Sequence, residues 1–267
     1  MKKIAIFTQN LTCGGVQKSI YSLVNYLKNE FDISIILGED NKEIYYSFVN
    51  INIYTIKTIK IDINKKAIGE ELFDYRISEL NKILEDLKPD VLLSYEDYNN
   101  LIALSTLYKC KKVVSCRVNI KDSYDNNIIH LLDGSFYYEK IKSLYKKANK
   151  IITVSSFIEK ELRTHFLLEN IKTIYNGIEE VKINKESLHS NFILNIGRLH
   201  KQKGQIDLIK AFDKIKNQIN QNLLIVGDGM LKNQLEEEIK KRGLEERIFL
   251  VGLDESYKYI INCTLFV

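Results

Sequence analysis

The sequence predicts an α/β protein built from two Rossmann-like domains. Short apolar runs alternate with segments of helical periodicity along almost the whole chain, which is typical of a parallel sheet with helices on both faces. A polar segment without strong periodicity, residues 179–190, separates two such series. We therefore predict a first domain over residues 1–178 and a second over residues 191–267. The glycine loops of both domains are expected to open onto a cleft between them.

The first series alternates predicted strands with amphipathic helices. Its predicted strands are Lys3–Thr8, Asp32–Leu37, Ile51–Ile56, Asp90–Ser94, Lys112–Cys116, Lys150–Val154 and Lys172–Tyr175. One helix follows the first strand, with Val16 and Ile20 in its apolar stripe, and another contains Leu80 and Leu84. The only proline, Pro89, is expected to end the second of these helices.

The second series is shorter but follows the same alternation. Its predicted strands are Phe192–Ile196, Leu223–Val226, Ile248–Val251 and Thr264–Val267. Its predicted helices are Gln205–Ile219, Leu231–Arg242 and Glu255–Ile261. Gly243 follows the second of these helices and is a candidate C-cap, because glycine adopts a left-handed conformation at no steric cost.

The composition argues against several classes of protein. The 267 residues carry a net charge of only +4, with both signs interspersed, which does not suit a nucleic-acid binder. The four cysteines lie far apart, without a C-x-x-C pair or histidines at ligand spacing, so we predict neither a metal site nor disulfides. The first apolar run is too short for a signal peptide, and none reaches transmembrane length. The sequence therefore favours a cytoplasmic protein.

The segment 195–204 contains the sequence's clearest candidate site. It lies between a predicted strand and an amphipathic helix, so that backbone N–H groups and the positive end of a helix meet at Gly197. Arg198 and Lys203 add two cations to the same loop. Taken alone, two cations on a loop are usually solvated surface charges. Together with the strand, turn and helix, they indicate a phosphate site.

Three further glycine turns follow predicted strands. Gly14 and Gly15 precede the first helix, where an anion or a sugar would fit, although a simple turn explains them equally well. Asp228, between Gly227 and Gly229, is better interpreted as a turn-forming residue than as a catalytic acid. The remaining turn contains Gly252 and Leu253. The first loop lacks the full G-x-G-x-x-G pattern, which disfavours a dinucleotide cofactor.

These segments resemble glycosyltransferase family 4, whose members adopt the GT-B fold. Residues 197–204 match its G-R-L-x-x-x-K-G donor loop, and Tyr175-Asn176-Gly177-Ile178 matches its Y-N-G-I-D segment with Glu179 in place of the aspartate. Val154-Ser155-Ser156 matches another family segment. The resemblance implies a retaining transferase that moves a sugar from a nucleotide-diphosphate donor to a glycan or lipid-linked acceptor in surface polysaccharide synthesis. It implies no metal and no cofactor.

The resemblance also assigns roles to individual residues. The implied catalytic residues are Arg198, Lys203 and Arg117, the last with Asn119 in an R-x-N segment that replaces the histidine of many relatives. The implied donor-binding residues are Gly14, Gly15, Gly197, Arg198, Lys203, Gly227, Asp228, Gly229, Gly252 and Leu253. The segment Tyr137–Lys147 combines aromatic residues with lysines, and is either an ordinary amphipathic helix or a peripheral contact with the membrane.

Two alternatives stay open. Relatives carry an acidic E-x7-E motif just after the last predicted strand of this sequence, so we expect the second domain to be incomplete and the chain to be a weak catalyst. A non-catalytic remnant or partner subunit of such an enzyme is therefore one alternative. A GT-B nucleotide-sugar epimerase is the other, and it should carry more carboxylates and histidines than this sequence offers.

Overall fold

A computed structural model describes residues 1–40, 43–58, 68–120, 134–177, 191–254 and 256–267. The chain forms two compact units, Met1–Ile178 and Glu179–Val267, which are considered separately below. The linker predicted over residues 179–190 lies outside the described residues. No helix in the described ranges is long and apolar enough to cross a membrane.

The first unit is a seven-stranded parallel sheet with helices between the strands. Its strands are β1 (Lys3–Thr8), β2 (Asp32–Leu37), β3 (Asn52–Thr55), β4 (Val91–Tyr95), β5 (Lys111–Cys116), β6 (Lys150–Thr153) and β7 (Ile171–Thr173). Its helices are α1 (Gly15–Leu27), α2 (Ile68–Leu87), α3 (Asp97–Ser105), α4 (Gly134–Leu144) and α5 (Ser156–His165). The strand order is β3-β2-β1-β4-β5-β6-β7, so the connections change direction between β1 and β4.

Each face of this sheet is covered by its own core. Successive side chains of a strand point to opposite faces. Ala5 and Phe7 of β1 accordingly pack in one cluster with residues of α2 to α5. Ile6 of the same strand packs in another cluster, with Ile20 and Val24 of α1. Burial on both faces explains why the strands read as nearly continuous apolar runs in the sequence.

Helix α3 has no counterpart among the elements that we predicted. All residues from Asn99 to Leu104 are buried, and so is Asp97 at its first position. A helix that is buried all round shows no amphipathic stripe, and the periodicity on which the prediction relied is missing. By contrast, α2 ends at Leu87, before Pro89 as expected, and Ser155 caps α5 by accepting a hydrogen bond from the Ile158 N–H at 3.3 Å.

The second unit is a four-stranded parallel sheet of order β10-β9-β8-β11. Its strands are β8 (Phe192–Ile196), β9 (Asn222–Val226), β10 (Ile248–Gly252) and β11 (Leu265–Phe266). Its helices are α6 (Gln205–Ile215), α7 (Lys232–Lys241) and α8 (Ser256–Ile260). Gly243, with φ 60°, ends α7 in a Schellman motif, because its N–H bonds to Lys240 O and the Leu244 N–H bonds to Ile239 O.

Arg247 holds the segment that follows α6. Its guanidinium donates to the carbonyl oxygens of Lys216 (3.3 Å), Ile219 (3.0 Å) and Gln221 (2.8 Å). It also lies over the Phe212 ring, 5.5 Å from the ring centroid. These bonds satisfy carbonyl groups beyond the end of α6, which stops at Ile215 rather than at Ile219 as the apolar periodicity predicted.

We expect Arg247→Ala to destabilise the second unit by about 1.5–3 kcal/mol, because three carbonyl groups lose a charged donor. Urea unfolding followed by circular dichroism measures this change. Arg242→Ala is the matched control, since Arg242 pairs only with the side chains of Asp213 and Glu238 among the residues described, and it should have a smaller effect. Equal losses in the two variants would contradict the capping role of Arg247.

Candidate functional site

The loop after β8 is held by backbone hydrogen bonds to the loop after β9. The Gly197 N–H donates to Val226 O (3.0 Å), and the Leu199 N–H donates to Asp228 O (2.9 Å). The carbonyl of Leu199 accepts from the Leu231 N–H at 3.2 Å, and its side chain is buried in the core. The loop therefore has a fixed path, with Arg198 exposed between two anchored neighbours.

The glycines of the Gly227-Asp228-Gly229 turn make this packing possible. A Cβ on Gly227, whose φ is 146°, would lie 2.0 Å from Gly197 O. A Cβ on Gly229 would lie 2.4 Å from Leu199 O. Both contacts are with backbone atoms, so any side chain would push the two loops apart. Asp228 is exposed, and its carboxylate accepts a hydrogen bond from the N–H of the adjacent Gly229 at 2.8 Å.

Gln205 is a part of this loop that the sequence analysis missed. It is the first residue of α6 and is only 1% exposed. Its Nε2 donates to the carbonyl of Arg198 at 3.1 Å, which fixes the peptide group that carries the arginine. The sequence contains no signal for Gln205, because its hydrogen-bond partner is a backbone carbonyl group, which any residue at position 198 would supply.

Arg198 and Lys203 are brought to the same loop as predicted. Both side chains are exposed, and neither forms an ion pair with a residue that the structure describes. Lys203 folds back toward the end of β8, because its Cγ and Cδ lie 3.8 Å from the position that a Cβ on Gly197 would take. Two unneutralised cations in one short loop create a positive potential that favours an anion.

Backbone donors strengthen this potential. The Arg198 N–H is not donated to any residue in the described ranges. Gly204 has a left-handed φ of 69° and lies directly before α6, in which the N–H groups of Gln205 and Ile206 donate to no residue in the described ranges. A helix N-terminus with unpaired N–H groups and nearby cations is suited to phosphate oxygens.

The third loop of this unit follows β10. Gly252 has φ 84°, and its carbonyl accepts from the Gly227 N–H at 2.8 Å, so this loop is tied to the glycine turn after β9. Leu253 is 62% exposed. Residues 197, 227 and 252 thus lie at one edge of the sheet, where the strands end.

In the first unit, Gly14 and Gly15 lie at the start of α1. Gly14 is extended, with φ 178°, and the only atoms that a Cβ there would meet within 4 Å belong to the flexible side chain of Gln17. A Cβ on Gly15 would meet nothing within 4 Å. Neither position needs glycine for its backbone conformation, but a side chain at Gly14 would have to displace the buried Gln17 side chain, so only Gly15 is without a reason in the fold.

Arg117 follows β5 and is fixed by two contacts. Its Nη2 donates to the Asn176 side chain at 2.7 Å, and its guanidinium lies 5.6 Å from the centroid of the Tyr95 ring. Burial lowers the pKa of Arg117, while Tyr95 and Glu96 act in the opposite direction. Arg117 and Asn176 thus meet although they belong to separate sequence motifs, and Asn119, two residues on, is half-buried.

Glu96 and Asp97, directly after β4, were also missed by the sequence analysis. Two acidic residues immediately after a predicted buried strand were the available signal. Glu96 has a φ of 73°, which costs about 1–3 kcal/mol for a residue other than glycine. Burial raises the pKa of its carboxyl group. A strained, partly buried carboxylate where strands end is a candidate functional group.

Asp97 belongs to a buried polar network. Its Oδ1 accepts from Tyr145 Oη at 2.8 Å, and Asn100 donates to the same Tyr145 oxygen at 3.1 Å. Ser94 in turn donates to the Asn100 side chain at 2.6 Å. Burial raises the pKa of Asp97 from its ordinary value of 3.8 to about 7, against the bond from Tyr145, which lowers it.

Three lysines are exposed at the end of α4 and in the 3-10 turn Tyr145–Lys147 that follows it. Tyr137 and Tyr145 are each 1% exposed and belong to the core, so these aromatic rings do not reach the surface. Lys142, Lys146 and Lys147 are exposed. A membrane contact of this segment would therefore depend on charge and not on its buried aromatic rings.

Comparison with known families agrees with this geometry. The model of glycosyltransferase family 4 matches residues 13–181, and that of the group 1 glycosyl transferases matches residues 177–267. The chain belongs to glycosyltransferase family 4. The family 4 match covers the unit that contains Glu96 and Arg117, and the group 1 match covers the Arg198 loop.

Curated relatives and solved structures agree with this assignment. The chain is 28% identical, over 100% of its length and 74% of the relative, to the N-acetylgalactosamine-N,N'-diacetylbacillosaminyl-diphospho-undecaprenol 4-alpha-N-acetylgalactosaminyltransferase of Campylobacter jejuni. A second transferase of that organism, the GalNAc-alpha-(1->4)-GalNAc-alpha-(1->3)-diNAcBac-PP-undecaprenol alpha-1,4-N-acetyl-D-galactosaminyltransferase, is 21% identical over 97% of the chain and 70% of its own length. Across three curated relatives the chain spans between 56% and 74% of their length.

A variant of Staphylococcus aureus TarM, crystallised with fondaparinux, alpha-GlcNAc-glycerol and UDP, has a similar fold. Its TM-score is 0.78 at 14% identity, over 100% of this chain and 80% of that one. The similarity shows the GT-B fold of two Rossmann-like domains, as predicted from the sequence.

We expect Asp97→Asn to flatten the dependence of stability on pH. The folded-state pKa of about 7 lies above the ordinary value of 3.8, so the stability contributed by protonated Asp97 is complete below pH 3.8 and is lost as the pH rises to about 7. An asparagine keeps an acceptor for Tyr145 and carries no charge.

Urea unfolding between pH 5 and pH 8 measures this effect. The advantage of Asp97→Asn over the wild type should grow with pH and level off above about pH 7. Asp86→Asn, which removes an exposed carboxylate from α2, is the control and should follow the wild type. If the free energies of unfolding of Asp97→Asn and the wild type change with pH in parallel, burial does not disfavour the charged form of Asp97.

Proposed function

We propose that the second unit binds the diphosphate of a nucleotide-sugar donor at the loop of Arg198 and Lys203, and that the enzyme transfers the sugar with retention to a lipid-linked glycan. The observation that carries the proposal is this loop: two exposed cations, an unpaired Arg198 N–H and a helix start at one strand end. The two Campylobacter relatives are named for transfer to glycans linked to undecaprenol through a diphosphate, which supports this kind of acceptor.

The chemistry follows from the leaving group. As the bond between the sugar and the diphosphate breaks, negative charge grows on the phosphate oxygens. Cations held at that point stabilise the transition state more than the ground state. Arg198 can bind two oxygens through its planar fork, while Lys203 acts as a single mobile charge. Because these side chains supply the positive charge, we propose that transfer requires neither a metal nor a cofactor.

We expect Arg198→Ala and Lys203→Ala each to weaken binding of UDP or GDP about 10-fold to 100-fold, the loss typical of a charged hydrogen bond. Isothermal titration calorimetry measures this, and an added chelator that leaves the affinity unchanged would support metal-free binding. Lys241→Ala, at the far end of α7, is a matched control that removes an equal charge. If both loop variants bind as the wild type does, the diphosphate site lies elsewhere.

The alternatives make different predictions for activity. Suppose that the wild type binds the nucleotide, that both loop variants lose this binding, and that the wild type transfers no sugar. This result would favour a non-catalytic partner subunit. Conversion of the nucleotide sugar to its epimer would identify an epimerase.

For a lipid-linked acceptor, we propose peripheral contact with an anionic membrane through Lys142, Lys146 and Lys147. Their charges would attract acidic headgroups, at about 1 kcal/mol per lysine near the surface. Cosedimentation with vesicles of phosphatidylglycerol should therefore fall when all three are replaced by glutamate, and should not fall for the same change at Lys214, Lys240 and Lys241 of the second unit. Equal binding by both triple variants would place the contact elsewhere.

A further inference from the structure

Glu96 lies where an open parallel sheet offers a ligand site. In the first unit β1 and β4 are neighbours, and the chain connections run in opposite directions from this pair. Ligands of such sheets bind at the carboxyl ends of the strands at this switch point. Glu96 follows β4 and joins it to β1, because its carboxylate accepts from the Gln9 N–H at 3.0 Å and from the Thr8 hydroxyl at 3.4 Å.

The carboxylate of Glu96 is held on one side only. The bonds from Gln9, Thr8 and the Asn99 side chain (3.2 Å) all end on Oε2. No residue in the described ranges donates to Oε1, although a carboxylate oxygen accepts up to two hydrogen bonds. Three donors thus fix the orientation of the group, and its second oxygen keeps its capacity to accept.

Asn99 provides a second, independent observation. It is 1% exposed, and its Oδ1 accepts from none of the residues that the structure describes. Its Nδ2 is used by the bonds to Glu96 Oε2 and Tyr95 O. Asn99 Oδ1 lies 3.5 Å from the position of a Cβ on Gly38, which follows β2 at the same edge of the sheet. Asn99 Oδ1 and Glu96 Oε1 are both acceptors without a donor among the described residues, so a ligand that contacts Oε1 must donate a hydrogen bond.

We infer that Glu96 binds a hydroxyl group of the acceptor sugar through Oε1, with Asn99 and Gln9 holding the carboxylate in place. The inference rests on the proposed function, which assigns the donor diphosphate to the second unit. A carboxylate repels a diphosphate, whereas a sugar offers hydroxyl donors without charge. Glu96 would then orient the acceptor and select for the configuration of the hydroxyl that it contacts.

Glu96→Gln tests this directly. The three groups that donate to Oε2 need an acceptor, so the amide oxygen of the glutamine takes the place of Oε2. The amide nitrogen then takes the place of Oε1 and presents a donor to the ligand instead of an acceptor. Binding of a panel of methyl glycosides, including methyl α-N-acetylgalactosaminide, is measured by ligand-observed NMR on the full chain. We expect an affinity about 10-fold to 100-fold lower for Glu96→Gln, unchanged calorimetric affinity for UDP, and no change for Glu30→Gln, an exposed control after α1.

The outcomes separate this inference from the proposed function. Equal glycoside affinity in Glu96→Gln and the wild type would overturn the inference, and so would a wild type that binds no glycoside of the panel. If Glu96→Gln loses affinity only for UDP-N-acetylgalactosamine, Glu96 contacts the donor sugar, and the inference is overturned. The UDP titrations of the Arg198 and Lys203 variants test the donor site independently.

A variant that fails to fold does not end the test. Single-deoxy derivatives of the bound glycoside probe the wild-type protein itself. Removal of the contacted hydroxyl should weaken binding about tenfold or more, and similar affinity for every derivative would overturn the inference.

Discussion

The architecture of the second unit depends on one contact between two stretches of backbone. The loop 197–199 lies against the turn 227–229 so closely that carbonyl oxygens fill the space where side chains would begin. Hydrogen bonds from Gly197 and Leu199 then lock the two loops together. Because Leu199 is anchored in the core, Arg198 is forced outward, and Gln205 fixes its carbonyl. The cationic loop is therefore preorganised before any ligand arrives, which lowers the cost of binding an anion.

The four strands of the second unit follow the same order as the first four strands of the first unit, but the two candidate groups at their ends carry opposite charge. In the second unit the loop after β8 carries cations and unpaired N–H groups. In the first unit the residue after β4 is a carboxylate that joins the ends of two neighbouring strands. A transferase must bind a charged donor and a hydroxyl-bearing acceptor, and one sheet edge of each kind suits this division. The positive charge of Arg117 acts to lower the pKa of the Glu96 carboxyl group, although among the described residues Arg117 donates to Asn176 and not to Glu96.

The strands were the most predictable part of the fold. Burial on both faces makes each strand a short apolar run, and β1, β2 and β8 have the limits that the sequence predicts. Helix α3 could not be predicted, because polar and apolar residues alike are buried in it and no amphipathic stripe results. The cations of the site were predictable from a local motif, whereas Gln205 gave no signal and Glu96 gave only its place directly after a predicted strand. Their roles come from backbone partners and from strands distant in sequence, which a linear pattern does not contain.

The glycines show how the structure separates folding requirements from functional ones. Gly227 has no room for a Cβ, so the fold by itself explains it. Gly15 has open space around its Cα and an ordinary backbone conformation, so an alanine there would fit and would favour the helix. Gly15 therefore costs helix stability without easing any contact with the described residues, so the folded chain does not require a glycine there. Gly227, whose motif is the more conspicuous in the sequence, is required by the packing of two loops, and its presence alone is no evidence for a ligand at the end of β9.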